Sequence, residues 1–329
     1  MKLQYLLLVS ITILFFNCKT DKLEPFVSEN HLESFQTEKP QFFDLDTLEY
    51  KTIIGKHGTK IIYYRELFDT IYKDPIQLEL IELYDFKEIL YRNIPTITTK
   101  DELLETSGVL KIKFTSNGKE LEIREGQKLL VYPPSGKLKN NDIFLSDKDS
   151  ITNIKWNITN QNFAYFELYL SGGISTRIII PSDSLETFTN REKKWREKIA
   201  RNEKIRYELI SESNSFILTN IKDRWINIDK LVNPEKQISF RIKENINFSG
   251  FNIYIIYKNL NSFISYSVTN DLLFFPEVPI VGKVKLIAIG ENLEGTFYDE
   301  ISLNSIANNS EVILNMKKTS KGNLKKLFE

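Results

Sequence analysis

The chain has 329 residues, of which 41% are hydrophobic and 27% charged, and this balance excludes an intrinsically disordered protein. At about 100–200 residues per domain, the length predicts two or three domains. Lysine and arginine together number 44, as do aspartate and glutamate, so the chain lacks the basic excess on which nucleic-acid binding depends. Nucleic acid is therefore not an expected partner.

The first residues have the layout of a signal peptide. Lys2 supplies a positive charge, and Leu6 to Phe16 form an apolar stretch of about 11 residues, shorter than the about 20 that span a bilayer. The stretch ends in Phe15-Phe16-Asn17, which lacks the small residues of an ordinary secretory cleavage site. The chain becomes polar at Cys18, its single cysteine, so an intrachain disulfide is excluded.

The segment from Leu14 to Cys18 resembles the lipobox of Bacteroidota-type lipoproteins, with Asn17 in place of the usual small residue. The resemblance implies that residues 1–17 are removed and that Cys18 carries acyl chains, which would hold the protein to a membrane. Several chains would anchor it firmly, because each buried CH₂ contributes about 0.8 kcal/mol. We expect a lipid-anchored protein of the bacterial cell envelope, at the outer membrane. The alternative is an uncleaved signal anchor in which Cys18 is incidental.

Five further segments follow along the chain. Residues 18–45 are polar and without sustained periodicity, which predicts a tether. Residues 46–138 contain short segments rich in aliphatic and aromatic residues between turn signals, which predict a β-sandwich module. The predicted strands are Lys60–Tyr64, Ile76–Leu83, Val109–Phe114, Glu120–Arg124 and Lys128–Tyr132.

Two details of this module make sharper predictions. The segment Ile76–Leu83 alternates apolar and polar residues with one slip at Ile81, which could mark a β-bulge. Asn117-Gly118 between two strands predicts a tight hairpin, because both residues tolerate positive φ.

Residues 139–205 predict more strands and then a charged helix near 183–204, capped by Asp183 with Glu186 three residues later. Residues 206–316 return to strands spaced by about 10 residues, typical of an immunoglobulin-like sandwich. Residues 317–329 carry five lysines and predict a solvated basic tail. The expected fold class is mainly β, with tandem antiparallel β-sandwich domains and this one helix.

Few residues of the sequence indicate catalytic or metal-binding chemistry. His31 and His57 are the two histidines, and His57 lies in a Gly-Lys-His-Gly loop, which predicts a solvated turn residue. The HExxH, Walker and GxGxxG motifs are absent from the sequence. We therefore expect no cofactor, no metal and no catalytic residue of a known type. The acidic cluster Asp101, Glu102 and Glu105 is interpreted as solvation of a loop.

A tripeptide of Asp, then Ser or Thr, then an aliphatic residue occurs at four positions. It resembles the O-glycosylation acceptor of exported Bacteroidota-type proteins, which makes Thr47, Thr70, Ser150 and Ser184 candidate acceptors. The alternative is that such pairs open turns and helices for local hydrogen-bonding reasons, as Asp183 would.

Two segments resemble uncharacterised Bacteroidota lipoproteins. One runs from Pro75 to Tyr132, in a module distantly similar to the β-sandwich of ankyrins and netrin receptors. The other, Arg224–Leu231, resembles their Gly-Trp-Ile-Asn-x-Asp motif, with Arg224 in place of glycine and Ile228 in place of a frequent cysteine. The resemblance implies the fold and the envelope location but no activity. Within it, Asn227 and Asp229 are expected to make buried hydrogen bonds, and a binding site is the alternative.

Together these patterns predict an envelope-anchored lipoprotein that is a non-catalytic binding or scaffold module for a protein or glycan ligand. The alternative is an exported hydrolase that uses an Asp/Glu pair, on a glycan for example.

Overall fold

The computed structural model describes residues 30–45, 50–69, 74–134, 137, 141–147, 154–159, 162–170, 174–181, 207–209, 213–218, 221, 224–245, 250–268 and 274–328. Its strands are β1 Gln41–Asp44, β2 Tyr50–Ile54, β3 Lys60–Tyr64, β4 Ile76–Leu83, β5 Leu104–Ser116, β6 Lys119–Glu120, β7 Leu129–Tyr132, β8 Asp142–Ser146, β9 Trp156–Thr159, β10 Asn162–Leu170, β11 Ile174–Pro181, β12 Tyr207–Leu209, β13 Ser213–Leu218, β14 Ile226–Leu231, β15 Lys236–Glu244, β16 Phe251–Tyr257, β17 Ser262–Val268, β18 Phe274–Ile280, β19 Val284–Asn292, β20 Gly295–Ser302, β21 Ser310–Leu314 and β22 Lys317–Lys318. The α-helices of the described part are α1 Phe86–Tyr91 and α2 Lys321–Leu327, and short 3₁₀ turns lie at Glu33–Phe35, Arg65–Leu67, Lys258–Leu260 and Leu303–Ser305.

The described strands form four sheets. Sheet I has the order β1-β4-β5-β14-β8-β9, with β6 beside β5. Sheet II has the order β11-β10-β13-β7-β3-β2, with β12 beside β10. Sheet III has the order β18-β15-β21, and sheet IV the order β17-β16-β19-β20-β22. The pairing is antiparallel except between β15 and β21, which run parallel. The predicted class, a mainly β protein of sandwich type, is confirmed.

Sheets I and II pack face to face as the first sandwich. Alternate residues of β4 and β5 point inward from sheet I, and Ile61 and Val131 meet them from sheet II. Phe114 of β5 lies between the rings of Tyr63 and Phe68, with centroids 6.4 and 5.0 Å away. Burial of these side chains is the main stabilisation of the sandwich, at about 1.5–3 kcal/mol for each large apolar side chain.

Sheets III and IV form the second sandwich in the same way. Phe240 of β15 stacks on Phe275 of β18 with ring centroids 5.3 Å apart. Ile253 and Ile255 of β16 face them from sheet IV and are fully buried. The phenol of Tyr257 donates a hydrogen bond to the Pro279 carbonyl at 3.0 Å, which ties the two sheets together.

The two sandwiches meet through a third apolar cluster, the junction core, between the outer faces of sheets I and IV. It combines side chains of both sheets with α1 and α2 and comprises Leu32, Ile81, Leu83, Ile89, Leu90, Tyr91, Ile94, Leu104, Val109, Phe144, Ile154, Trp156, Trp225, Tyr254, Ile256, Phe263, Ile287, Ile289, Leu324 and Phe328. Sheets I and IV are therefore each covered by apolar side chains on both faces.

The junction core explains the slip at Ile81. The β4–β5 register runs without interruption from Ile76 to Leu83, so the predicted bulge is not at Ile81. Ile81 and Leu83 point into the junction core, while Leu78 and Leu80 point into the first sandwich. The alternation breaks because the outer face of the strand becomes covered, which a period-2 pattern alone does not distinguish from a bulge. A bulge does occur between Ile228 and Asp229 of β14, opposite β5.

The predicted hairpin at Asn117-Gly118 is confirmed. Both residues have positive φ, 49° and 72°, and Ser116 pairs with Lys119 across the turn.

Strand pairing joins segments that are distant in sequence. β14, from the segment predicted as 206–316, lies between β5 from 46–138 and β8 from 139–205. The pairing therefore crosses both predicted domain boundaries. The helix predicted near 183–204 lies outside the described residues.

Both ends of the described chain pack on the body. In the segment predicted as a tether, residues 30–45 contribute β1 to sheet I and bury Leu32 in the junction core. In the predicted basic tail, the five lysines are exposed as expected, but Leu324 and Phe328 are buried in the same core. These apolar residues lie four apart and share one helical face, which is why the segment docks.

Candidate functional site

A groove lies where the two sandwiches meet. Its volume is about 420 Å³, within the range of about 300–1,000 Å³ that is usual for ligand sites. One wall comes from the loop before β5, and the other from the β14–β15 connection, β17 and β18. The lining residues are Ile97, Lys100, Asp101, Glu102, Leu103, Leu231, Val232, Asn233, Pro234, Gln237, Ile264, Tyr266, Pro276, Glu277 and Pro279.

The first wall is a tight turn built around Thr98. Its hydroxyl accepts the N–H groups of Lys100 and Glu102 at 3.2 and 3.1 Å and donates to Glu102 Oε2 at 3.0 Å. Asp101 completes the turn with φ of 63°, a conformation that aspartate tolerates better than most residues. Its carboxylate lies 2.7 Å from Lys155 Nζ. The turn thus presents the carboxylates of Asp101 and Glu102 at the groove.

The second wall includes an irregular stretch of β18. The register between β15 and β18 shifts between Ile238 and Phe240, and Glu277 opposite this bulge has φ of 50°. The Glu277 N–H donates to Ser239 Oγ at 3.1 Å, which fixes the bulge. The shift places the exposed Glu277 side chain on the groove lining.

Tyr266 forms part of the floor. Its ring packs edge-on against Phe275 with centroids 5.0 Å apart. Burial and, to a smaller extent, the negative charge of Asp101 together raise the pKa of Tyr266 to about 12. The phenol therefore stays protonated near neutral pH and can donate a hydrogen bond.

Of the acidic cluster predicted as a solvated loop, Asp101 and Glu102 line the groove, whereas Glu105 lies within β5. The opposite wall comes from residues more than 100 positions away, so sequence spacing gave no signal that these residues meet. The structure does not describe Cys18 or the candidate glycosylation residues Thr47, Thr70, Ser150 and Ser184. Those five predictions lie outside the described residues.

A second polar site surrounds the β2–β3 turn. His57, expected as a solvated turn residue, lies there with its side chain one-third exposed and Nε2 3.1 Å from Glu38 Oε2. Lys56 Nζ is 3.0 Å from the same oxygen. Although burial raises the pKa of Glu38, hydrogen bonds from His57 and Lys56 outweigh it and leave that pKa below its ordinary value. These contacts fasten the N-terminal segment to the first sandwich.

Glu82 supports the same turn from inside the sandwich. It is 2% exposed and accepts the N–H groups of His57 and Thr59, both at 3.0 Å, and the Gln41 amide at 2.8 Å. Three donors satisfy this buried carboxylate, as a buried charge requires. These three hydrogen bonds join β4 to β1 and to the β2–β3 turn, so this cluster is structural. Among the described residues, no group of three or more His, Cys, Asp or Glu side chains is arranged to hold a metal ion.

Asn227 and Asp229 are both fully buried in sheet I. Asn227 Nδ2 lies 2.6 Å from Asp229 Oδ2, which also accepts the Thr106 hydroxyl at 3.0 Å. Burial raises the pKa of Asp229 well above its ordinary value, although hydrogen bonds from Thr106, Asn227 and the Ser107 backbone lower it. The two side chains make the buried hydrogen bonds that were expected from the sequence. Neither residue lines the groove.

Comparisons with protein-family models, with curated proteins and with solved structures found no match to this chain. In the part of the chain that the structure describes, neither helix is long enough and apolar enough to cross a membrane.

Proposed function

We propose that the chain is a lipoprotein of the bacterial cell envelope, anchored through Cys18, whose two sandwiches form a non-catalytic binding or scaffold module. The observation that carries this proposal is the groove at the junction of the sandwiches. It is concave, it combines apolar and polar side chains, and both sandwiches contribute to it.

A preformed site needs walls that are fixed relative to each other. Thr96 beside the first wall donates its N–H to the Phe263 carbonyl of β17 at 2.9 Å and accepts the Phe263 N–H on its hydroxyl at 2.9 Å. The Trp156 indole donates to the Pro95 carbonyl at 2.7 Å in the same segment. With the junction core beneath them, these bonds support a groove that is ordered before a ligand arrives, which lowers the entropic cost of binding.

The anchor supports the same proposal. The twelve residue-to-residue steps from Cys18 to Asn30 span about 40 Å at full extension. From Asn30 the chain is fastened to the body, with Asn30 Nδ2 donating to the Tyr91 carbonyl at 2.8 Å. A lipid on Cys18 would therefore keep the groove within a few nanometres of the membrane surface.

The anchor is tested by fractionating cells that make the native protein or Cys18→Ala, with protease added to intact cells. We expect the native protein in the membrane fraction and the variant released or unprocessed. Digestion of the native protein in intact cells would place the sandwiches outside, and protection would place them in the periplasm. Identical processing and location of both proteins would disprove the anchor.

The groove is tested by placing a photo-crosslinking amino acid at Gln237, an exposed lining residue, in cells. The control position is Leu293, which is fully exposed in the β19–β20 hairpin. A discrete crosslinked partner at position 237 but not at 293 supports binding in the groove. Equal yields at both positions, or none at position 237, would contradict it.

The hydrolase alternative has one specific observation in its favour, the carboxylates of Asp101, Glu102 and Glu277 in the same groove. A glycosidase would need two of them on opposite sides of the bound sugar, about 5–10 Å apart. Polysaccharide hydrolysis that is lost in both Asp101→Asn and Glu277→Gln would favour the enzyme over the binding module.

A further inference from the structure

We propose that the groove binds a segment of a partner protein in which lysine or arginine side chains flank an apolar side chain. This inference rests on the proposed binding function of the same groove. The groove has an apolar floor and an acidic rim, and the neighbouring strand β18 is not suited to accept an added strand.

The floor of the groove offers contacts to an apolar side chain. Leu231, Val232 and Tyr266 line the groove and are each partly exposed. The buried side chains of Ile97, Leu103 and Ile264 lie beside them in the lining. Burying a large apolar side chain on such a surface is favourable and offsets part of the cost of association. An apolar anchor is therefore the main source of affinity that this floor can supply.

The rim is acidic. Among the described residues that line the groove, Asp101, Glu102 and Glu277 are acidic and Lys100 is basic, in a chain whose total charge is zero. The excess of negative charge is thus local to the site. Lys155 pairs with Asp101 at 2.7 Å, but both side chains are substantially exposed, and such pairs are weak and exchangeable. A cationic ligand is attracted to this rim, whereas nucleic acids and other polyanions are repelled.

The negative charge also acts at the floor. Burial raises the pKa of Tyr266, and the Asp101 carboxylate raises it further because a second negative charge nearby is unfavourable. The same field stabilises a positive charge that enters the groove, so a lysine or arginine next to the apolar anchor is favoured.

The partner segment does not extend a sheet at this wall. Pro276 and Pro279 of β18 lack the N–H groups that an added strand would need. The Pro279 carbonyl already accepts the Tyr257 hydroxyl at 3.0 Å. Recognition must therefore come from side chains of the groove, which makes it dependent on the ligand's charge and shape.

The test is fluorescence anisotropy of labelled short peptides of alternating lysine and leucine, or glutamate and leucine, with the detergent-solubilised full chain. We expect the basic peptide to bind at least about tenfold tighter at low ionic strength, and to lose most of this preference between about 20 mM and about 500 mM salt. Glu102→Gln and Glu277→Gln should each weaken it by about two- to fivefold. Glutamine keeps the acceptor that Thr98 uses at position 102.

The matched control is Glu294→Gln, an exposed glutamate in the β19–β20 turn, which should leave binding unchanged. Equal binding of the acidic peptide, or no effect of both groove variants, would overturn the inference. So would tighter binding of a neutral glucose hexasaccharide, which would assign the groove to glycans. If crosslinking at Gln237 yields a partner while the basic peptide does not bind, the binding function stands and the cationic specificity is wrong.

Discussion

The core of the first sandwich and the junction core differ in the elements that supply their side chains. The first core contains apolar side chains from alternating positions of paired strands, such as Leu78 and Leu80 of β4. The junction core also uses the outer faces of sheets I and IV, two short helices and both ends of the described chain. Buried polar groups lie among its apolar side chains, including the Thr96–Ser262 hydroxyl pair at 2.6 Å.

This difference shows how one chain makes two sandwiches into a single body. Each sandwich core is made by side chains of its own two sheets and the segments that connect them. The junction core needs both sandwiches in place, since each supplies only one of its faces. Its hydrogen-bonded polar groups also fix the mutual orientation of the sandwiches, which shapes the groove above it.

The largest expected effects come from removing one aromatic ring from each core. Phe114→Ala in the first core and Phe263→Ala in the junction core, both almost completely buried, should each lower the free energy of unfolding by about 3–5 kcal/mol. Phe114→Ala should keep a single transition, because the junction is intact. Phe263→Ala should separate the transition into two steps, because the sandwiches are uncoupled.

Urea unfolding followed by far-UV circular dichroism and by tryptophan fluorescence measures both outcomes. Trp156 and Trp225 lie in the junction core, so two of the three tryptophans of the chain report on it. Two transitions in the native protein, or two in Phe114→Ala and one in Phe263→Ala, would contradict the difference between the cores.

A smaller effect is expected at the edge of the first sandwich. A Cβ atom at Gly55 would lie 2.3 Å from Glu82 Oε2 and 2.7 Å from a methyl carbon of Leu80. Gly55→Ala should therefore displace the buried carboxylate and destabilise the protein by about 1–3 kcal/mol. Thermal unfolding checks this, and hydrogen exchange at the His57 and Thr59 amides shows whether their bonds to Glu82 are lost. Unchanged stability and protection would mean that the turn adapts.

The substitution Asp229→Asn tests how a buried polar group near the junction affects stability. The folded pKa of Asp229 is raised above the unfolded value of about 3.9, so the native state holds a proton that the unfolded state releases. The free energy of unfolding should therefore fall as pH rises from about 4 towards the folded pKa. Asp229→Asn should remove this fall and be more stable than the native protein at neutral pH.

Chemical denaturation of both proteins between about pH 4 and pH 8 gives the difference at each pH. The gap should be near zero at the acidic end and should grow with pH. A constant difference, or a variant that loses stability as pH rises, would show that Asp229 does not hold a proton in the native state.

The smallest effect is expected in α2. Gly322 lies in the helix with nothing within 4 Å of an added Cβ. Gly322→Ala should stabilise the protein by about 0.5–1 kcal/mol, because alanine is the better helix former. The gain should vanish in a variant that also carries Phe263→Ala, if α2 depends on the junction core for docking. Equal gains in both backgrounds, measured by urea unfolding, would mean that α2 is stable without the junction.

Several elements of the fold follow from the sequence alone. Lys60–Tyr64 and Ile76–Leu83 were predicted with the bounds that β3 and β4 have, because strand propensity and flanking turn residues are local properties. The Asn117-Gly118 turn was predictable for the same reason. Helix α1 was missed, although Asp85 caps it through the Lys87 N–H at 2.9 Å, because six residues carry too little periodicity.

The tertiary structure alone decided which strands pair and which faces are covered. β14 enters sheet I from a distant part of the sequence, and nothing local to Ile226–Leu231 specifies β5 and β8 as neighbours. The groove has the same origin, since Asp101 and Glu277 meet only when the sandwiches dock. The sequence determined the strands, the turns and the mainly β class through local preferences. Burial of the second faces of sheets I and IV, a non-local hydrophobic effect, determined the junction and hence the site.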